Sequence, residues 1–472
     1  MKTFHHRASL IFLFFLTFFY ILYSLYSIYS SNAIIADDLS FIYSTKSINQ
    51  NYLDFTTSFL NSGSMSARPV SGFITASIIY LAKYDDSIYF LGLLFFPLSV
   101  LVIYFVLRKI LPEEIVCVFI LFYAISIIGT SVQFSPIMLN SNIATIFYLL
   151  SIYCIIRKKN LIISAVLFLF SILSYEIFLP AILLNILIIK ETKQKIIYAI
   201  MTFTLVLLYR KYIQSYLFTN SYQRDTVSNV FDVHRNLNII LWSGKIFMRD
   251  YFIAIYKSFG NLKKVNVLEW ITALMISYGV FRVLRSFNYT LHLQTMKKIA
   301  KFSLFGFIIS FGIFVFSTYK PSLFGFENRN LGAIRLFFTL LIVSILIITA
   351  GKNRWNKNVV IGMFSVSSFI LILTNVGVKN AWIFANDFNN RVFKIIKVEI
   401  DKNKIEKGDI CVDFDTHNVT KNNPNFVLRE PVFFNNWESR ELSSRNGIDE
   451  KKIKIYNSER YNGCQYKIFI KN

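Results

Sequence analysis

The sequence predicts an all-α polytopic membrane protein that ends in a small α/β domain, and three observations carry that prediction. The chain of 472 residues is 54% hydrophobic and 16% charged, with a mean hydropathy of +0.49, whereas a soluble domain is about a quarter charged. Many of its apolar runs approach or reach the ~20 residues a helix needs to cross about 30 Å of hydrocarbon. Lysines and arginines gather at alternate ends of these runs, as the positive-inside rule requires.

The apolar runs fall at about 9–30, 87–107, 115–132, 141–156, 161–174, 177–189, 196–213, 266–286, 302–318, 332–350 and 359–378, which predicts about eleven spans. The first is too long for a cleaved signal peptide and has too many successors, so it reads as a retained anchor. With the N-terminus inside, the inner loops carry Arg108 and Lys109, then Arg157, Lys158 and Lys159, then Lys190, Lys193 and Lys195. Later inner loops add Arg282, Arg285, Lys297, Lys298 and Lys301, then Lys352, Arg354 and Lys357. The short outer turns near Gln133–Asn140 and Ser174–Glu176 have none. The C-terminus is therefore expected outside.

Val70–Ala82 is apolar but only about thirteen residues long, which suits a helix lying on the surface. Counting it as a span would reverse every later charge cluster, so 31–86 is expected to lie wholly outside. A second outer loop, about 214–265, holds Arg224, Asp225, Asp232, His234, Arg235, Lys245 and Arg249. The chain thus divides into a membrane domain, 1–378, and an outer tail domain, 379–472. In the tail an amphipathic helix is predicted near Asp387–Lys402, with strands around Asp409–Phe414, Asn425–Leu428 and Tyr466–Ile470.

Cys117 and Cys154 sit in apolar runs and read as small buried thiols. Cys411 and Cys464 both fall in the outer tail, where a disulfide can form. Closing that loop would stabilise the tail by roughly 3–4 kcal/mol in the chain-entropy model. No cysteine has the spacing of a zinc site, and no metal is expected. The net charge of +23 does not point to nucleic acid, because no basic tract is interleaved with a soluble module. No Walker-type loop, HExxH or GxSxG occurs, so nucleotide-binding and protease chemistry have no support.

The candidate chemistry lies where the first span ends. Asp37 and Asp38 follow it directly, and acids kept beside the hydrocarbon do chemistry, bind an ion or pair with a base. One carboxylate of such a pair can act as a general base while its neighbour orients it. The alternative is an N-cap for a helix starting near Leu39. Arg68, in Arg68-Pro69, offers a donor fork suited to a phosphate. Glu176, at the tip of a helical hairpin, either caps or lines an outward cavity. Arg329 and Arg335 either hold a phosphate or snorkel to lipid headgroups. Asp85 and Asp86 read as a helix cap, His234 as solvated, and Trp437 as packing within the tail or as a platform for a sugar ring.

Ala36-Asp37-Asp38-Leu39 after an N-terminal span, then Arg68-Pro69, Lys83-Tyr84-Asp85 and the second span, resembles the GT-C class of glycosyltransferases. Within that class it is most similar to the O-antigen glucosyltransferases of the serotype-conversion type. Ser174-Tyr175-Glu176-Ile177-Phe178 resembles a Tyr-Gln segment of the group, with Glu replacing Gln. The likeness in order and spacing covers about residues 1–190, and beyond that it is one of architecture. It implies transfer of a sugar, glucose in the type group, from an undecaprenyl-phosphate carrier to a lipid-linked O-antigen or other surface saccharide, with no cofactor and no metal. It implies the inner membrane of a bacterium, the N-terminus cytoplasmic and the tail periplasmic. Asp37 or Asp38 would deprotonate the acceptor hydroxyl, with Asp37 slightly ahead, and Arg68 would hold the carrier phosphate. The rival readings are an O-antigen polymerase, which would rely on outer arginines, and a flippase or transporter of lipid-linked sugar, which would place charges within several spans.

Overall fold

The computed structural model of the protein describes residues 2–45, 48–157, 160–218, 231–352, 354–413, 425, 436–459, 461 and 463–470. It is mostly helical. Among the described residues eight helices are long and apolar enough to cross a membrane: Arg7–Ser30, Asp86–Leu107, Pro136–Ile156, Thr192–Leu217, Val267–Ser286, Leu293–Phe316, Phe326–Gly351 and Lys357–Lys402. Large apolar side chains such as Phe15, Phe105, Ile200 and Phe203 are exposed on them, as lipid-facing surfaces should be. The first helix shows the logic: Leu13, Thr17, Tyr20, Ile21, Ser24 and Ile28 form its buried stripe, while Phe15, Phe19, Leu22 and Tyr26 face out.

Three predicted spans take other forms. The runs at 161–174 and 177–189 are helices Leu161–Ile172 and Glu176–Ile188, each too short for a full crossing by itself. The run at 115–132 is helical only over Glu113–Ala124 and then breaks into turns, all of them buried. Irregular backbone at such depth is tolerated only where protein surrounds it and satisfies its polar groups. Here Arg335 supplies the missing donors.

The expected surface segment 31–86 contains helices α1 (Asp37–Thr45), α2 (Tyr52–Leu60) and α3 (Pro69–Ala82). Pro69 starts α3 at a position where its missing N–H costs nothing. Asp85 caps the next helix through Ser87 N–H at 2.9 Å, as expected. The expected loop 214–265 is largely helical over 233–259, and His234 is exposed. Its residues Arg224 and Asp225 lie outside the described residues, as do Lys158 and Lys159.

The predicted boundary at 378/379 is not a break. A single helix runs from Arg354 to Lys402, 49 residues or about 73 Å at 1.5 Å per residue. It takes in both the predicted span at 359–378 and the predicted amphipathic helix. The tail then forms a parallel sheet of order β2-β1-β3, from β1 (Gly408–Asp413), β2 (Ile453–Asn457) and β3 (Tyr466–Phe469). β1 and β3 match predicted strands; β2 was not predicted, and all but Asn425 of the strand predicted at Asn425–Leu428 lies outside the described residues. Cys411 and Cys464 are disulfide-bonded, with Cα atoms 5.5 Å apart. Cys117 and Cys154 are buried and form no disulfide.

Candidate functional site

The chain leaves its first helix at Ser30, turns through 31–36 and enters α1 at Asp37. Ala36 has a φ of +54°, a left-handed conformation that costs a residue with a side chain about 1–2 kcal/mol. The two aspartates part company here. Asp38 is fully buried and accepts hydrogen bonds from Tyr89 Oη at 2.7 Å, Ser135 Oγ at 2.6 Å and Ile137 N–H at 2.9 Å. Gly92 lets those donors converge: a Cβ there would lie 2.4 Å from the carbonyl oxygen of Pro136. Burial pushes the Asp38 carboxyl up to about 7, outweighing the three hydrogen bonds that favour its charged form. When protonated, Oδ2 can donate to Ser135 Oγ while Oδ1 still accepts from Tyr89 and Ile137. Asp38 thus ties α1 to two membrane helices.

Asp37 points the other way. Its side chain is 40% exposed and in direct ion-pair contact with Arg329. Arg329 also meets Glu327 at 3.5 Å and lies over the Phe326 ring. Nearby, Arg68 pairs with Glu176 at 2.9 Å, and Glu176 pairs with Arg210 at 3.2 Å. Tyr175 joins the two groups. Arg68 lies 4.4 Å from its ring centre, and its hydroxyl donates to Asn330 Oδ1 at 2.6 Å, next to Arg329 in the chain. Tyr319 lies within electrostatic reach of both Arg68 and Arg329. Among the described residues the site therefore has a half built on Arg68, Arg210 and Glu176 and a half built on Asp37, Glu327 and Arg329.

The Arg68 half shares two elements with an apolar cavity of about 920 Å³. Leu179 and Pro180, from the turn that begins with Glu176, line it together with Phe203 and Val206, from the helix that carries Arg210. Phe168 and Phe311 close other sides, so the wall is almost wholly hydrocarbon.

Arg335, expected to hold a phosphate or reach a headgroup, does neither. It is fully buried and donates to the carbonyls of Tyr123, Ala124 and Gly129 and to Gln133 Oε1. Two of those carbonyls end the Glu113–Ala124 helix, so Arg335 caps it with a complementary charge. Gln133 continues the network to Asn375, which accepts from Tyr20 at 2.7 Å. The side chain of Trp437 is outside the described residues.

Arg210, Tyr175, Asn330 and Tyr319 were not singled out from the sequence. Arg210 carried a usable signal, an arginine within the predicted span 196–213, since charge there marks function or a partner. Glu269 and Lys379 were missed for the same reason; they form a buried ion pair between helices Val267–Ser286 and Arg354–Lys402. The spans are thus less free of charge than the sequence suggested. Among the described residues no group of three or more His, Cys, Asp or Glu is placed to hold a metal ion.

These contacts set the site at one end of the helix bundle. Arg329, Arg210, Glu269 and Asp86 occupy the ends of their helices nearest Asp37, whereas Lys352, Lys193, Arg285 and Arg108 follow or occupy the opposite ends. The tail domain is at the Asp37 end too: Tyr43 of α1 donates to Glu450 at 2.6 Å, and Arg445 donates to the Asn32 carbonyl at 3.2 Å. Comparison with family models, with curated proteins and with solved structures found no match.

Proposed function

We propose that this protein is a membrane glycosyltransferase that moves a sugar from a polyprenyl-phosphate carrier to a saccharide acceptor. The observation that carries the reading is that the turn of Glu176 and the helix of Arg210 each supply both a member of the charged cluster and wall residues of the apolar cavity. A long hydrocarbon chain suits the cavity, and the forked donors of Arg68 and Arg210 suit a phosphate. On the far side of Tyr175, the half-exposed Asp37 is the general base that takes the proton of the attacking acceptor hydroxyl, while Arg329 orients it. The bond from the sugar's anomeric carbon to the phosphate oxygen breaks, and the carrier phosphate leaves as an anion held by Arg68 and Arg210. Clamping a good leaving group and positioning the nucleophile supply most of the acceleration in such a reaction.

On this reading the eight long helices, with the two short ones and the broken segment from Glu113 counted as crossings, make eleven, and the positive-inside rule puts the lysine-rich end in the cytoplasm and the Asp37 end in the periplasm. Glucose as the sugar and an O-antigen-like acceptor follow from the resemblance of the first 190 residues. A polymerase would rely on outer arginines rather than on an acid, so the half-exposed Asp37 beside Arg329 favours the transferase. A flippase would use charges along its path, whereas the buried Lys379–Glu269 and Arg335 are locked into structural partners.

The test is transfer by purified protein from a synthetic polyprenyl-phosphate hexose, with Asp37→Asn and Asp38→Asn made singly and together. Loss in Asp37→Asn is expected. Full activity in both single variants and the double variant would refute the catalytic assignment. For topology, a fusion of alkaline phosphatase to the tail should be active, and a well-expressed but inactive fusion would overturn the periplasmic placement.

A further inference from the structure

A second, smaller cavity of about 330 Å³ opens on the same end of the molecule. That volume is at the low end of the ~300–1,000 Å³ typical of ligand pockets. One wall is Trp242, Lys245 and Asp250; the other is the loop containing Pro321, Ser322 and Gly325. Gly325, at φ +72°, turns that loop into the 326–331 segment whose Glu327, Arg329 and Asn330 help build the Asp37 half of the site. Tyr319, at the start of the same loop, lies within electrostatic reach of Arg68 and Arg329. One loop therefore borders both places.

The lining differs in kind from that of the large cavity. Asp250 is 5% exposed, sits in a π-helical turn over Ile246–Asp250 and faces the cavity. Such turns occur frequently at functional sites. Arg249 occupies its Oδ1, at 2.8 Å from Nε and 2.7 Å from Nη2. Its Oδ2 has no protein donor among the described residues, which leaves it for a donor in the cavity that Asp250 lines. Lys245 is exposed at the rim, and Lys320 lies 5.0 Å from the ring centre of the half-buried Trp242.

We propose that this cavity is a carbohydrate subsite that seats the acceptor saccharide. A pyranose presents a C–H face that packs on an indole and a rim of hydroxyls that donate to a carboxylate. Trp242 supplies the first surface, Asp250 Oδ2 accepts from a hydroxyl, and Lys245 donates to a ring or hydroxyl oxygen. The buried carboxylate disfavours a phosphate, and the polar floor disfavours a lipid chain. The inference deepens the transferase reading but is tested apart from it.

The experiment is binding, read without turnover. Detergent-purified full-length protein is applied to a printed array of mono- to tetrasaccharides, and hits are titrated by saturation-transfer NMR. Wild type should bind a subset of the saccharides. Trp242→Ala and Asp250→Asn should weaken binding at least tenfold while keeping the wild-type elution profile and melting temperature, and Trp242→Phe should restore much of it. Two results would overturn the subsite: no saccharide held by wild type, or undiminished binding in both Trp242→Ala and Asp250→Asn. Failure of the transferase reading shows separately, as binding without transfer.

Discussion

The same two side-chain types meet at two depths of this molecule, with opposite consequences. Asp38 and Arg335 are fully buried and saturated by neighbouring donors and carbonyls. Asp37 and Arg329, one and six residues away in sequence, pair with each other at an opening. A buried charge with every site taken can only hold structure, because any ligand would have to displace a protein partner at full desolvation cost. The open pair retains capacity for a substrate. Charge near a membrane therefore marks a site only where the structure leaves it unsatisfied or reachable.

The largest effect should come from breaking the open pair. Asp37→Asn is expected to lower transfer by about 10²–10⁴-fold, the range for losing a general base, while the melting temperature stays near that of wild type. Arg335→Leu should do the reverse. It leaves the Ala124 carbonyl unpaired and takes the charged donor from those of Tyr123 and Gly129, which keep Ser126 and Val132 N–H, so the loss should be at least about 1–3 kcal/mol. Low yield of folded protein, read by size-exclusion fluorescence of a tagged chain, is the check; a normally folded Arg335→Leu variant would break the distinction.

Asp38 sharpens the contrast through pH. Its folded-state value of about 7 exceeds the ordinary value near 4. The folded protein thus keeps a proton that the unfolded chain loses, and stability present at pH 4 should be lost as pH rises to 7. Asp38→Asn, which can still accept from Tyr89 and donate to Ser135, should flatten that slope; Asp38→Ala, which abandons three donors, should cost at least about 3 kcal/mol. Melting curves in nanodiscs at pH 4, 5.5 and 7 read both. The smallest effect is expected at Ala36, where Gly should add up to about 1 kcal/mol by relieving its positive φ. Unchanged or lower stability there would show that the turn is not strained.

The sequence made the membrane body legible because burial in lipid imposes one long apolar run per helix, a signal independent of tertiary detail. The Asp37–Asp38 pair, Arg68 and Glu176 were legible as charges at helix ends. What sat between them was not, because Tyr175, Asn330 and Arg210 reach the site through packing of helices far apart in sequence. Arg335 misled because a guanidinium one turn into an apolar run looks alike whether it seeks phosphate or carbonyls. β2 escaped because Ile453–Asn457 is short and each of its residues pairs with one 45 positions earlier; only the pairing with β1 makes it a strand.

The unbroken Arg354–Lys402 helix has a practical consequence for dissecting this chain. A soluble tail cut at residue 379 would begin inside a helix whose Trp382, Phe393 and Ile396 are buried in the intact protein. Trp382 packs against Phe134 and Phe326, both on the membrane side of that cut. Released from those partners, the fragment would present a sticky apolar rod and precipitate. A fragment starting near Lys404, after the helix has ended and before β1, keeps the disulfide and the sheet while leaving the rod behind.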